Sequence, residues 1–184
     1  KSFLNAGIGY GGSCFPKDTR ALHSVATLHK YDFKLLKAII EVNQLQKRRF
    51  LDKIEIALGN LKTKRIGALG LAFKNNTDDV RESAALEIIS MLMKRGAKVS
   101  AYDPLASENA KKILPNLTPR KKPEDVFEKA DCVLILTEWP EFKDLAWAKL
   151  KLKMHRPLII DGRNLLNPSK MRKIGFKYIS VGRP

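Results

Sequence analysis

The feature that most constrains this chain of 184 residues is a change of hydrophobic rhythm at Arg65. From that point short apolar runs of strand type, RIGALG (65–70), KVSAYD (98–103), CVLILT (132–137), PLIID (157–161) and FKYISV (176–181), take turns with helix candidates at 83–95, 107–114, 123–129 and 141–150. Runs of this kind, with little polar alternation, belong to strands that are covered on both faces. Helices between successive strands supply that cover, so the pattern predicts an α/β domain with a Rossmann-like, doubly wound parallel sheet. Ligands of such sheets bind beyond the carboxyl ends of the strands.

Ahead of Arg65 the pattern is helical. A glycine-rich loop leads into a short helix at 17–30, with Leu22, Val25 and Leu28 at helical spacing. A long helix is predicted over 33–58, carrying Leu35, Ile39, Val42, Leu45, Leu51, Ile54 and Leu58, with Asp32 as its N-cap and Gly59 as its stop. Its apolar residues occupy more than one face, more surface than one small domain covers, so it is expected to pair with its own copy as a homodimer. The chain divides accordingly into 1–60, catalytic loop plus central helix, and 61–184, the sheet domain.

With 44% hydrophobic residues the chain has material for a real core. No run approaches the roughly 18 apolar residues of a membrane span, and the first residues lack an apolar signal core, so a cytoplasmic protein without membrane contact is expected. Because the sequence opens on Lys1 with its richest motif immediately behind, coding sequence is expected upstream. Lys and Arg outnumber Asp and Glu by 35 to 19, a net charge of +16. The cations are interspersed with acids as on solvated helix faces, and no nucleic-acid-binding signature accompanies them, so the expected partner is a phosphorylated small molecule rather than a nucleic acid. Cys14 and Cys132 sit in unlike settings, a loop and an apolar run, which argues against a disulfide. His23, His29 and His155 lack metal-ligand spacing, so no metal is expected.

Chemistry concentrates in the stretch Gly7-Ile-Gly-Tyr-Gly-Gly-Ser-Cys14-Phe-Pro-Lys-Asp18. Its four glycines, at 7, 9, 11 and 12, allow close approach of backbone to a ligand at an entropic cost that a plain surface turn need not carry. A cysteine placed just before a helix, with Lys17 beside it, gains support for its thiolate from the helix amides and the nearby cation. A flexible turn with an incidental cysteine is the lesser alternative that composition alone leaves open. Trp139 and Trp147 read as packing residues, and Cys132 as a small buried hydrophobe.

The string GYGGSCFPKD (9–18) resembles the active-site segment of the UDP-glucose and GDP-mannose dehydrogenase family, whose members oxidise a sugar C6 alcohol to a carboxylate with two NAD+. A second block, GLAFKNNTDDVRES (70–83), is similar to the family's GxAFKxxTxDxRxS segment. Tyr102-Asp-Pro104, Leu136-Thr-Glu-Trp139 and Asp161-Gly-Arg163 follow in order. The resemblance covers nearly the whole chain. It implies that Cys14 is the nucleophile that forms a thiohemiacetal and then a thioester with C6, and that Asp18 helps to activate water. It implies that Phe3, Leu4, Asn5, Ala6, Gly7 and Gly11 contact the nucleotide sugar, that Phe73, Lys74 and Arg163 hold its sugar or phosphates, and that Lys17 and Arg81 reach NAD. Cations suit both ligands, since a diphosphate and a dinucleotide need compensating charge.

The resemblance also places the NAD-binding domain, with the family's catalytic lysine, asparagine and a glutamate, ahead of residue 1. The glycines at 67 and 70 are therefore not read as a dinucleotide fingerprint. Aligned on Gly70, a G-x-G-x-x-G pattern meets Ala72 and Asn75 where glycines are needed, and Asp103 loses the role of ribose-binding acid. Asn75 and Ala84 stand where family members often have proline. The Thr137-Glu-Trp139 block and the 3–7 loop lean toward a UDP-sugar, UDP-glucose, with GDP-mannose as the alternative. A segment limited to nucleotide binding and dimerisation is the alternative for the chain on its own, which is expected to lack dehydrogenase activity.

Overall fold

The computed structural model describes residues 5–183. Two helices come first, α1 (Phe15–Leu28) and α2 (Lys34–Leu58). The strands that follow are β1 (Arg65–Leu69), β2 (Lys98–Tyr102), β3 (Thr118–Pro119), β4 (Cys132–Ile135), β5 (Leu158–Asp161) and β6 (Lys177–Ser180). Between and after them run α3 (Ala84–Lys94), α4 (Ser107–Ile113), α5 (Trp147–Lys151) and α6 (Pro168–Ile174). All strand pairs among the described residues are parallel, in the order β3-β2-β1-β4-β5-β6. This is the doubly wound α/β order, and the strand sequence reverses direction between β1 and β4, the switch point where such sheets open a crevice.

The central strands are buried on both faces because the helices leave no side uncovered: every residue of β4 and β5 is buried. On one side, α3 turns Leu86, Ile88, Ile89 and Leu92 inward against β1 and β2 and against the second half of α2, which contributes Phe50, Leu51, Ile54 and Leu58. Each such side chain taken from water stabilises the fold by about 1.5–3 kcal/mol. On the other side Phe127, Trp147 and Phe176 stack edge to face around β4 and β5, and Phe142 packs in the same cluster with its ring edge to face on Tyr102. Both tryptophans are buried, as their reading as packing residues requires. The first half of α2 behaves differently, leaving Leu35, Ile39, Val42 and Leu45 exposed beside Leu22, Val25 and Leu28 of α1.

Several boundaries depart from the sequence expectation. The short helix starts at Phe15 rather than 17, because Pro16 fits the first turn, where its fixed φ helps and its missing N–H costs nothing. The long helix is not capped by the Asp32 side chain: Phe33 holds the N-cap without a side-chain bond, and the Asp32 carboxylate meets Lys34 as an exposed ion pair at 3.9 Å. The candidate at 123–129 is a 3-10 turn, Pro123–Phe127, closed off by Lys129 at positive φ. The candidate at 141–150 splits into a 3-10 turn, Pro140–Asp144, and α5, because Trp147 Nε1 donates to the Phe142 carbonyl at 3.2 Å while both rings are buried. Two elements were not anticipated. β3 is a two-residue edge, and α6, although short, carries an Asn167 N-cap on the Lys170 amide, Pro168 in its first turn and Gly175 at φ +98 as its stop.

Candidate active site

Cys14 occupies the N-cap of α1, exposed, with its carbonyl accepting from the Asp18 amide at 2.8 Å. Phe15 packs edge to face on Tyr10 with ring centroids 4.8 Å apart, which folds the loop back on the helix it feeds. The other cysteine, Cys132, is buried in β4, and both are free thiols. Ser13 Oγ lies 3.6 Å from Cys14 Sγ.

The loop ahead of Cys14 is seated between α2 and the carboxyl end of the sheet. Ile8 is buried and packs where Gly162 leaves room after β5. The Gly12 amide donates to the Arg81 carbonyl at 3.1 Å. A Cβ on Gly11 would lie 2.2 Å from the Glu82 carbonyl oxygen, so nothing larger than glycine permits this approach. Arg20 of α1 pairs with Glu82 at 2.8 Å, a second link between the cysteine helix and the segment behind β1. On the α2 side, Asn43 exchanges two hydrogen bonds with the Tyr10 backbone, and Gln46 donates to the Gly7 carbonyl.

Most of the expected site residues converge here. Gly7 and Gly11 lie in the seated loop; Asn5 and Ala6 precede it and are exposed, while Phe3 and Leu4 lie outside the described residues. Phe73, half-buried, turns its ring toward Gly12, and Lys74 extends beside it with Nζ 5.3 Å from that ring's centroid. Arg163 comes in from the far side, close enough that a Cβ on Gly7 would lie 2.8 Å from its Nη1. Its Nε approaches Glu138 Oε2 at 2.5 Å but off the hydrogen-bonding direction, so the contact is a charge pair and Oε2 remains buried without an aligned donor. Arg81 grips Asp79 with a two-pronged contact, Nη2 to Oδ2 at 2.7 Å and Nε to Oδ1 at 3.0 Å. That hydrogen bonding holds Asp79 below the usual carboxylate range and the Arg81 guanidinium above its ordinary value, with a smaller contribution to Arg81 from the charge of Cys14. Lys17 is likewise raised, first by its hydrogen bond to Asp18 and least by Cys14. The two expected groups at 17 and 18 thus pair with each other on the solvent side of α1.

Two buried aspartates build the site from behind, and sequence reasoning had not assigned them that role. Asp103, just past β2, accepts from the amides of Leu71 and Ala72 and from Trp139 Nε1 through Oδ2, and from the amides of Leu105 and Ala106 through Oδ1. The amides that open the crevice after β1 are therefore occupied by protein, which gives a physical ground for rejecting a dinucleotide fingerprint at 67–74. Asp161, at the end of β5, accepts from the amides of Arg163 and Leu166 and from the Tyr178 hydroxyl at 2.6 Å. Burial, and then the Asp161 charge, push the Tyr178 hydroxyl above its ordinary pKa. Asp161 fixes the turn that presents Arg163. Thr137 Oγ1 ties the end of β4 to the Ala72 carbonyl at 2.7 Å. The signal available in the sequence was that two predicted strands, YD at 102–103 and IID at 159–161, each end in aspartate.

Comparison with known proteins agrees with this arrangement. Residues 67–168 match the UDP-glucose/GDP-mannose dehydrogenase family, UDP binding domain, and residues 1–45 match that family's central domain. The chain is 48% identical to UDP-glucose 6-dehydrogenase TuaD of Bacillus subtilis, over 100% of its own length and 40% of that protein's. It is 45% identical to UDP-glucose 6-dehydrogenase of Rickettsia prowazekii, over 99% of its own length and 43% of that protein's. Among solved structures, a UDP-glucose dehydrogenase from Pyrobaculum islandicum superposes with a TM-score of 0.84 at 35% identity, covering 96% of this chain and 39% of the other. The chain thus spans about 40% of the length of the relatives it matches. Among the described residues no cluster of metal-ligating side chains occurs and no helix is long and apolar enough to cross a membrane. With the UDP-binding domain matched over most of its sheet and the glycine loop seated at the carboxyl end of that sheet, the chain belongs to the UDP-glucose/GDP-mannose dehydrogenase family.

Proposed function

We propose that this chain supplies the catalytic loop and the UDP-binding half of an NAD-dependent enzyme that oxidises UDP-glucose to UDP-glucuronate, with residues 1–60 carrying the loop and central helix and residues 61–184 the nucleotide-binding domain. The observation that supports it is the exposed Cys14 at the start of α1, on a loop seated against Phe73, Arg81, Glu82 and Arg163. In this reading the UDP diphosphate meets Lys74 and Arg163, with Arg163 leaving Glu138 for the phosphate, because the guanidinium fork matches a phosphate at least as well as a carboxylate.

When bound, NAD accepts a hydride from C6 in each of the two oxidations. Exposed Lys17 and Arg81 beside Cys14 suit an anionic dinucleotide, whereas the amides of Leu71 and Ala72, taken by Asp103, do not, which supports a dinucleotide on the Cys14 side of the loop. The first oxidation converts the C6 alcohol to an aldehyde with loss of a proton. Cys14 sulfur then adds to the aldehyde carbon to form a thiohemiacetal. Loss of a second hydride from that carbon and of the proton from its hydroxyl leaves a thioester, and water, directed by Asp18 once it is released from Lys17, cleaves the carbon–sulfur bond to give the carboxylate and free thiol.

The exposed apolar face shared by α1 and the first half of α2 is assigned to contact with a second copy. The chain by itself acts as a nucleotide-binding and dimerising module. The test has two arms. A polypeptide joining this chain to the NAD-binding domain should reduce about two NAD+ per UDP-glucose and fewer with GDP-mannose, while the chain alone should reduce none yet bind UDP in a calorimetric titration better than GDP or a short DNA duplex. NADH formation by the chain alone, or tighter binding of GDP, would contradict this reading.

A further inference from the structure

The glycine loop cannot hold its own shape. Its glycines remove side-chain packing, and between Gly7 and Gly12 the only buried side chain is Ile8. At Gly12 the Arg81 carbonyl takes the loop amide, and from Gly7 to Tyr10 one face of α2 takes the backbone groups. Asn43 Oδ1 accepts from the Tyr10 amide at 2.8 Å, and Asn43 Nδ2 donates to the Tyr10 carbonyl at 3.2 Å, so a single carboxamide satisfies both backbone groups of one loop residue in the manner of a neighbouring strand. One turn further, Gln46 Nε2 donates to the Gly7 carbonyl at 2.7 Å. Lys47, buried, runs beneath Gly9 and pairs with Glu87 of α3, which anchors this face of α2 to the sheet domain. The spacing 43, 46, 47 is that of neighbours on one helical face.

Gly9 shows how tight the grip is. It sits at φ +116, and a Cβ there would come within 2.8 Å of Asn43 Oδ1. No other side chain of similar size reproduces the Asn43 contact, since a carboxylate accepts without donating and an aliphatic group does neither. Tyr10 is four residues ahead of Cys14, and its ring carries the edge contact to Phe15. A shift of Tyr10 therefore moves the start of α1, where the sulfur stands.

We infer that Asn43, supported by Gln46, is a positioning residue for the dehydrogenase reaction, holding the Tyr10 backbone so that Cys14 is presented at the reacting carbon. This rests on the function proposed above. Displacement of a reacting atom by about 1 Å can cost about 100-fold in rate. In the polypeptide joined to the NAD-binding domain, Asn43→Ala and Asn43→Asp should each lower kcat about 10- to 100-fold while KM for UDP-glucose stays near wild type. In the chain itself, both substitutions should abolish protection of the Tyr10 amide from hydrogen exchange and shift the pH midpoint of Cys14 alkylation by iodoacetamide. Asn43→Asp keeps the size of the side chain, so it reports on the lost donor even where Asn43→Ala does not fold. Wild-type kcat in both variants, or an unmoved alkylation midpoint with Tyr10 still protected, overturns the inference. Full activity in a Cys14→Ser enzyme would instead remove the enzymatic reading, and the Tyr10 and alkylation measurements would then decide the clamp alone.

Discussion

Cys14 stands exposed at the amino end of α1, whereas Cys132 lies in the middle of β4 at 0% exposure, where burial pushes its thiol well above the ordinary range. The regions around them differ in the same sense. The sheet domain turns most of its apolar side chains inward, leaving Leu105, Ile113 and Leu152 as scattered exceptions, and satisfies its buried aspartates with backbone amides, while α1 and the first half of α2 keep Leu22, Val25, Leu28, Leu35, Ile39 and Val42 on the surface. The first region covers its central strands from within the chain, and the second leaves an apolar face on the surface. A side chain's chemistry is thus set by its place more than by its type.

The largest expected effect comes from exchanging the two thiols in turn. Cys14→Ser in the polypeptide joined to the NAD-binding domain should lower UDP-glucuronate production by about 10³-fold or more, because a serine hydroxyl lacks an accessible anionic form at neutral pH. UDP affinity should change little. Cys132→Ser should leave the product rate intact and cost about 1–3 kcal/mol of stability, since a hydroxyl is placed among apolar neighbours. Product analysis and urea denaturation check the two arms; equal losses of rate would erase the distinction.

Packing gives the next contrast. Phe50→Ala opens a cavity beneath α2, where the ring is 2% exposed, and should destabilise the chain by about 3–5 kcal/mol in a denaturant titration. Ile39→Glu with Val42→Glu, on the outward face of the same helix, should change stability by no more than about 0.5 kcal/mol per site. The pair should, however, convert a dimer to a monomer in analytical ultracentrifugation. A monomer at all concentrations before substitution would show that this face serves another contact.

The smallest effect is one of pH. Burial works against the Asp131 carboxylate, but the Arg65 amide at 2.9 Å and His155 at 2.8 Å outweigh it and hold its pKa below the ordinary value. A depressed carboxylate contributes stability above its unfolded pKa and loses it as pH falls through the folded one. Asp131→Asn should therefore lower stability by about 1 kcal/mol near neutral pH, with the difference from wild type closing as pH drops below the usual carboxylate range. A thermal melt series from neutral to acidic pH measures it; a gap that widens on acidification would show that the pairing is not what stabilises the strand ends.

The local signals were enough to determine much of this protein. Apolar runs at 65–70, 98–103, 132–137, 157–161 and 176–181 all became strands, fully buried at β4 and β5 and alternating in burial at β2 and β6, and a doubly wound parallel sheet follows from their alternation with helices. The glycine spacing around Cys14 marked a loop that other backbone approaches closely, as the Glu82 carbonyl does at Gly11. Tertiary structure alone decided how the parts meet. That Asp103 would spend its carboxylate on the amides after β1, that Asn43 would close on Tyr10 from 33 residues away, and that Arg163 would come to Gly7 from the opposite end of the chain depend on which strand ends and helix faces become neighbours. Hydrophobic periodicity records which side of an element is buried, but hydrogen bonds between distant backbone and side-chain groups leave no periodic trace in the sequence. The helix ends moved for local reasons instead: the Trp147 indole N–H donates to the Phe142 carbonyl five residues back, and Phe33 rather than Asp32 holds the N-cap of α2.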